Sequence, residues 1–502
     1  MNGYVFLNAK EKIIFSFEDN NLTLLFTTKT EVDSRVPKFE GISFLDEIPF
    51  VIGYDFSYQK CYVFLTREKV EASYFHSSTM PVRGYIEFNI YHSDIEGIRF
   101  IPSVSGMSFY GKELNYFYDV NRGYKFEFNQ DYFVEGVETI PSSQTKQFFD
   151  FSFEEEKIEV NLGIETFFRY NNTTPLELKP RILFKFAETK SIYKLIRLYH
   201  IYRSFLQFIT YRKNVDIQRV VLYGKTGIKD FTSIGVLYYD PDQLDIEDDK
   251  VISKTISYEL IKSKIKELFN EIASESLYLQ HIPESNKNAR IITPARFILT
   301  MAAFEWNVKQ GYTITTGEKE RIVKQDLLEA IEKVNIEKGY TGKLKRKYNF
   351  FKKIIENVDV SLSVKISHVL NDMHSILEPF IERVYALNSK EPDSYDTMGD
   401  RLQTQRNNYA HGNIDKKFNI DVILDIVILE WVNYAMVFKK LGYSEKEIIY
   451  LINGIFDRNM YFPKSDNELV KRSAVKDSKK RLLKRTCRRF KNRRKISRIH
   501  KK

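Results

Sequence analysis

Cysteine is almost missing from this chain: Cys61 and Cys487 are the only two in 502 residues, and neither lies in a Cys-x-x-Cys pair. That excludes a disulfide framework and a cysteine zinc site, and it points to a reducing compartment. Long apolar runs are missing too. The most apolar stretch, Ile420 to Phe438, carries Asp421, Asp425, Glu430 and Asn433, which are too costly in lipid for an ordinary membrane span. The N-terminus, MNGYVFLNAKEKIIF, has no basic segment followed by a continuous apolar core, so no signal peptide is read. A soluble, cytoplasmic protein with no membrane partner is expected, and the Asn-x-Thr sites at Asn21, Asn171 and Asn172 then carry little meaning. Internal repeats, His-Glu-x-x-His, Gly-x-Ser-x-Gly and acidic metal clusters are all absent. Gly224-Lys225-Thr226 resembles the end of a phosphate loop, but Arg219 stands where that loop needs glycine and the flanks read as a hairpin. His368 and His374 read as sharing one helix six residues apart, about 240° around its axis, so they cannot chelate one ion from one face.

Aromatics, by contrast, reach 15%, with 39 Phe and 32 Tyr, which favours β packing or a stacking surface. Apolar residues at 43% and charged residues at 29% can bury several cores, and the length suggests about three domains. The formal charge of +10 is unevenly spread. Residues 471–502 hold 17 Lys and Arg against one acidic residue, Asp477, a local +16 that leaves −6 for the rest. Such a tail calls for a polyanion partner.

Residues 1–189 read as a β-rich region. IIFSF, LTLLFTT, CYVFLT, YIEFNIY, LNYFYDV and IETFFRY are short runs of β-branched and aromatic residues, separated by turns such as Asp19-Asn20-Asn21. An antiparallel, sandwich-like arrangement or an open barrel follows. Residues 190–289 read as a mixed connector: a helix from Ser191 to Tyr211, strands at 220–223 and 234–239 returning to the sheet, and a helix from Ile256 to Leu277. Residues 290–460 are all helical. Helices are expected at 295–309, 318–338, 343–358, 362–385, 394–410 and 420–440, and Ser444 with Glu447 forms a capping box for the last one. Short connections between them imply an antiparallel bundle, so the chain is α+β, with a basic tail at 461–502.

One segment of the helical half combines residue types that carry chemistry: Gln405-Arg406-Asn407-Asn408-Tyr409-Ala410-His411-Gly412. Gly412 is placed as a C-terminal cap, and Asn407 and His411, four apart, share a face. Arg406 lies about 140° from His411 on the wheel, within reach of the same cleft through its length. A guanidinium can grip a phosphate in two places, and an imidazole moves protons near neutral pH. RNA carries its own nucleophile, the 2′-hydroxyl, so the protein need only orient the phosphate, neutralise developing charge and handle protons. Arg-Asn-x-x-x-His at this spacing arises by chance only about 0.03 times in a chain with 27 Arg, 30 Asn and 8 His. The same residues also describe an ordinary polar helix end.

Arg-Asn-x-x-x-His closing a bundle helix, followed by a long apolar helix, resembles the motif of HEPN-domain ribonucleases. The segment Ala295-Arg296-Phe297 to Ala303-Phe304-Glu305 resembles an early HEPN helix that carries an acidic residue. A long β-rich region ahead of such a domain is similar to ApeA-type abortive-infection proteins of bacteria. The resemblance implies a cofactor-free, metal-independent endoribonuclease acting as a homodimer through its helical domain. Its substrate would be single-stranded or loop RNA, with tRNA a candidate, and its products 2′,3′-cyclic phosphate and 5′-hydroxyl ends. Arg406 would hold the scissile phosphate, His411 would act in proton transfer, Asn407 would orient its neighbours and Glu305 would support them. The β-rich region would sense a phage-derived trigger in antiviral defence. Lys343, Lys345, Arg346 and Lys347 on one helix, and Arg485, Arg488, Arg489, Arg493 and Arg494 in the tail, are candidate RNA contacts. The alternative from another class is a non-catalytic RNA-binding or scaffold protein that dimerises through its helical half.

Overall fold

A computed structural model of the chain describes residues 1–6, 12–25, 49–66, 77–90, 101–131, 133–168, 176–227, 229–240, 244–314, 318–356, 360–413 and 415–456. The tail, with Arg485, Arg488, Arg489, Arg493 and Arg494, lies outside the described residues.

In β2, Lys12–Glu18, Ile13, Phe15 and Phe17 are buried and their neighbours are not, the period of a strand with one covered face. The same alternation runs through β1, Asn2–Phe6, and β3, Asn21–Leu25. Together with β4, Phe50–Asp55, β5, Lys60–Thr66, and β6, Ser77–Asn89, they close an antiparallel barrel in the order β1-β2-β3-β6-β5-β4. Val5, Ile13, Phe15, Leu22, Leu24, Val51 and Phe64 fill it. Gly53 makes room for Phe15, whose ring would lie 2.8 Å from any Cβ added there.

β6 belongs both to the barrel and to the open part of the same sheet. Residues 77–81 pair with β3, and the ladder stops at Pro81, which has no N–H to give. Residues 84–88 then pair with β14, Lys229–Tyr239, on the edge opposite β5. From β14 an open antiparallel sheet continues through β13, Arg219–Thr226, β7, Val104–Tyr110, β12, Leu176–Thr189, and β11, Glu156–Phe168, to β10, Gln147–Phe153. The β-rich part is therefore one sheet that curls shut at one end and not a two-layer sandwich. A further hairpin, β8, Tyr124–Phe128, with β9, Val134–Thr139, stands apart from it. Gly224-Lys225-Thr226 belongs to β13, with a hairpin on its C-terminal side.

LNYFYDV is not a strand. It forms most of α1, Lys112–Phe117, because Leu114 and Phe117, three apart, go into the core on one helical face. Buried Glu113 anchors the helix through Arg212 Nη2, 2.6 Å away. α2, Ile192–Thr210, is the middle layer of the molecule. Its Tyr202 lies on sheet residue Phe109 at 4.3 Å, while Phe205 stacks at 4.6 Å on Phe269. After a single turn, α3, Asp249–Ile252, the helix expected over 256–277 is split into α4, Tyr258–Ile261, and α5, Ile265–Ala273. The break falls at Lys264, whose φ of −133° leaves the helical region.

The helical half comprises α6, Pro294–Gly311, α7, Glu318–Lys338, α8, Gly342–Glu356, α9, Leu362–Asp372, α10, His374–Leu387, α11, Tyr395–Ala410, α12, Ile420–Lys440, and α13, Glu445–Ile455. The expected helix at 362–385 is two helices, parted at Met373 (φ −105°, ψ 12°), so His368 and His374 do not share one. Pro379 lies inside α10, where it removes one helical donor. α12 is the centre of the bundle and is buried on nearly every side. Phe208 of α2 stacks on its Tyr434 at 4.7 Å, tying the bundle to the sheet. Its buried carboxylates and its buried amide are partnered. Asp425 accepts from Arg401 Nε and Nη2 at 2.8 and 2.9 Å and from the Tyr385 hydroxyl at 3.0 Å. Glu430 meets Arg296 at 2.6 Å, and Asn433 donates to the Thr300 carbonyl at 3.1 Å. Among the described residues no helix is long and apolar enough to cross a membrane.

Candidate functional site

α11 starts with Ser394, whose hydroxyl accepts from the Thr397 N–H, and ends in a turn that Gly412 makes feasible. Gly412 takes φ +80°, its N–H reaches the Tyr409 carbonyl at 3.1 Å, and the Asn413 N–H reaches Asn408 at 2.9 Å. This pair of bonds is the Schellman arrangement, which stops the helix and uses up its last carbonyls. His411 sits at the cap position, exposed, with its N–H on the Asn407 carbonyl at 3.0 Å.

The loop beyond is pinned back. Gln405 Nε2 and the Tyr409 hydroxyl both donate to the Lys416 carbonyl at 3.0 Å. Phe297, Tyr409 and Phe418 form a trio of edge-on rings with centroids 5.3–5.8 Å apart. α6 is held by its own cap, Thr293 accepting from the Arg296 N–H, with Pro294 in the first turn. These contacts fix α6 and the end of α11 against each other.

Arg406 reaches across that seam to Glu305 of α6, its Nη2 lying 3.7 Å from Oε1. Both side chains are about two-fifths exposed, 40% and 42%, so the pair stays open to solvent and to ligand. Asn407 is exposed one position on. Arg406, Asn407 and His411 thus share the last turns of α11 and its cap, and of the three Arg406 alone is paired with Glu305. Among the described residues, no hydrogen bond or ion pair joins the His411 imidazole to Arg406 or Asn407.

The basic residues of α8 have divided uses. Lys345 donates to Asn335 Oδ1 at 2.9 Å and lies 4.6 Å over the Tyr348 ring, so its ammonium belongs to the α7–α8 contact. Lys343, Arg346 and Lys347 are exposed.

Two polar groupings have no counterpart in the motif. One is the Arg401–Asp425–Tyr385 cluster, with Asp393 on the outer nitrogen of Arg401 at 2.5 Å. These partners hold the Arg401 guanidinium protonated more firmly than usual, the Asp425 hydrogen bond first among them. The sequence signal was present in α12, where Asp425 and Glu430 interrupt an otherwise apolar helix; the identity of their partners was not. The other is a groove of about 400 Å³ lined by His374, Glu378, Asp393, Tyr395 and Asp396. It lies at the start of α11, the far end from His411. Among the described residues no three His, Cys, Asp or Glu side chains gather as a metal site. No family model matches the chain, and no curated protein or solved structure matches it.

Proposed function

We propose that the chain is a HEPN-type endoribonuclease whose cleft is built on Arg406 and His411, serving antiphage abortive infection in the manner of ApeA-like proteins. The observation that carries the reading is the solvent-open meeting of Arg406 with Glu305 at the capped end of α11. At 3.7 Å and two-fifths exposed, the pair contributes little to the stability of the bundle and leaves the guanidinium accessible to a phosphate.

In the proposed reaction the 2′-oxygen of RNA attacks the adjacent phosphorus and the bond to the 5′-oxygen breaks. A 2′,3′-cyclic phosphate and a 5′-hydroxyl result. Arg406 holds the non-bridging oxygens, with Glu305 setting the guanidinium plane in the absence of substrate. His411, projecting past the helix end, transfers a proton, and Asn407 orients the groups beside it. Arg406 and His411 diverge on one helix end, so two copies of the chain would complete the cleft between them. Single-stranded or loop RNA, tRNA among the candidates, is the substrate class. The β-rich region then acts as sensor of a phage-derived trigger, the exposed basic residues of α8 and the tail guide RNA, and the protein works in the cytoplasm.

The test is cleavage of total tRNA and mRNA in EDTA by wild type, Arg406→Ala and His411→Ala, with end-group analysis of the products. Cleavage with cyclic phosphate ends, lost in both variants, supports the site. Equal activity in all three refutes it, and RNA binding without cleavage in wild type leaves a non-catalytic RNA-binding scaffold.

A further inference from the structure

The α7–α8 hairpin is unusual in this molecule for what it leaves uncovered. Ile322, Val323, Leu327, Val334, Ile336, Leu344, Phe350, Phe351 and Ile354 are 44–74% exposed, a third of all large apolar residues exposed among the described ones. The seam between the two helices is instead polar. Glu332 accepts from Tyr348 and from Lys352 at 2.9 Å, Lys345 donates to Asn335, and Lys324 donates to the Glu356 carbonyl at 2.7 Å. These pairings run antiparallel. They place Leu344 and Phe351 of α8, and Val323, Leu327 and Val334 of α7, about 75–130° from the seam on the same side of the hairpin. The spacing 323, 327, 334 is that of a bundle-forming helix, and a continuous apolar face of this kind marks an interaction surface.

We infer that this face docks a second copy of the chain, two hairpins meeting about a two-fold axis parallel to their helices to close a four-helix bundle. The side chains favour it over a nucleic-acid platform, because Val323, Leu327, Val334 and Leu344, four of the five on this face, offer no ring for a base to stack on, and Phe351 is its single aromatic. Charge selects the symmetry. α8 has six basic residues and one acidic, net +5, whereas α7 has six acidic and five basic, net −1. An axis perpendicular to the helices would lay α8 on its own copy, basic against basic. The parallel axis lays α7 of one copy on α8 of the other, with Glu337 level with Lys343 on the rim. The buried area, on the order of 900 Å² in total for helices this long, belongs to a reversible dimer. This inference uses none of the cleft residues Arg406, Asn407, His411 and Glu305; of the α8 cations that the ribonuclease reading gives to RNA it uses Lys343 alone.

Analytical ultracentrifugation of the full chain over roughly 1–100 µM tests it. Wild type is expected to dimerise reversibly. Leu327→Glu and Phe351→Glu each weaken the dimer at least about tenfold with unchanged circular dichroism and melting temperature. Glu337→Lys and Lys343→Glu each weaken it, and the two together restore it. Three results overturn the inference: a wild type that stays monomeric, a dimer indifferent to Leu327→Glu and Phe351→Glu, or failure of the charge swap to restore. A monomeric wild type whose binding to fluorescent single-stranded RNA is lost in the same variants assigns the face to RNA instead.

Discussion

Arg406 and Glu305 face each other across the α6–α11 seam at 3.7 Å, in a pair that remains two-fifths exposed. An exposed pair contributes at most about 1 kcal/mol to stability, and this one is long even for that class. Glu305→Gln is therefore expected to move the melting temperature by no more than about 2 °C. If Glu305 positions the guanidinium, RNA cleavage falls about tenfold in kcat with KM little changed. Steady-state kinetics beside a thermal melt separates the two effects, and a large loss of stability would contradict the assignment.

The Arg401–Asp425 pair behaves differently because Asp425 is fully buried and bonded through both carboxylate oxygens. Arg401→Ala strands that carboxylate and should cost about 3–5 kcal/mol in denaturant unfolding. Arg401→Met combined with Asp425→Leu removes both charges and should recover most of it. A single variant as stable as wild type would show that the pair does not order the bundle.

Gly412 tests the helix end. Nothing lies within 4 Å of a Cβ added there, so Gly412→Ala meets no clash and only the strain of φ +80°. The cost is about 1 kcal/mol, with Gly412→Asn milder. Because the glycine ends the helix beside His411, a cleavage defect larger in Ala than in Asn is expected, read by comparing rates at equal folded fraction.

Acid should loosen the bundle through His281. Burial, aided by the nearby Arg296 and Lys213 charges, lowers its pKa from 6.5 to about 4. The unfolded chain then binds a proton that the folded chain refuses, so stability is intact above about pH 6.5 and is lost as pH falls toward 4. The loss reaches about 3 kcal/mol for this group alone. His281→Phe should flatten that part of the pH–stability profile; an unchanged profile would assign the acid sensitivity elsewhere.

Elements defined by their own residues were legible in the sequence. α7 and α12 fall at the expected bounds, and the capping box of Ser444 with Glu447 is present. Failures came where distant partners decide. Aromatic alternation in LNYFYDV read as a strand, but the burial of Leu114, Phe117 and Glu113 turned it into a helix. Barrel closure depends on β6 pairing with both β3 and β5, and its join to the open sheet on β6 pairing with β14, which no local pattern encodes. At the candidate site the helix end and its glycine were readable from eight residues. The 3.7 Å approach of Glu305, about a hundred positions earlier, depends on how α6 and α11 pack.

Strand β6 has an implication for any attempt to divide the molecule. Cutting the chain ahead of Asn89 would not release a tidy module: β14 would be left with raw amides and carbonyls along one margin, ready to recruit foreign strands. Truncations that retain β14 should therefore keep Ser77–Asn89, or accept aggregation at that margin as the signature of a missing neighbour.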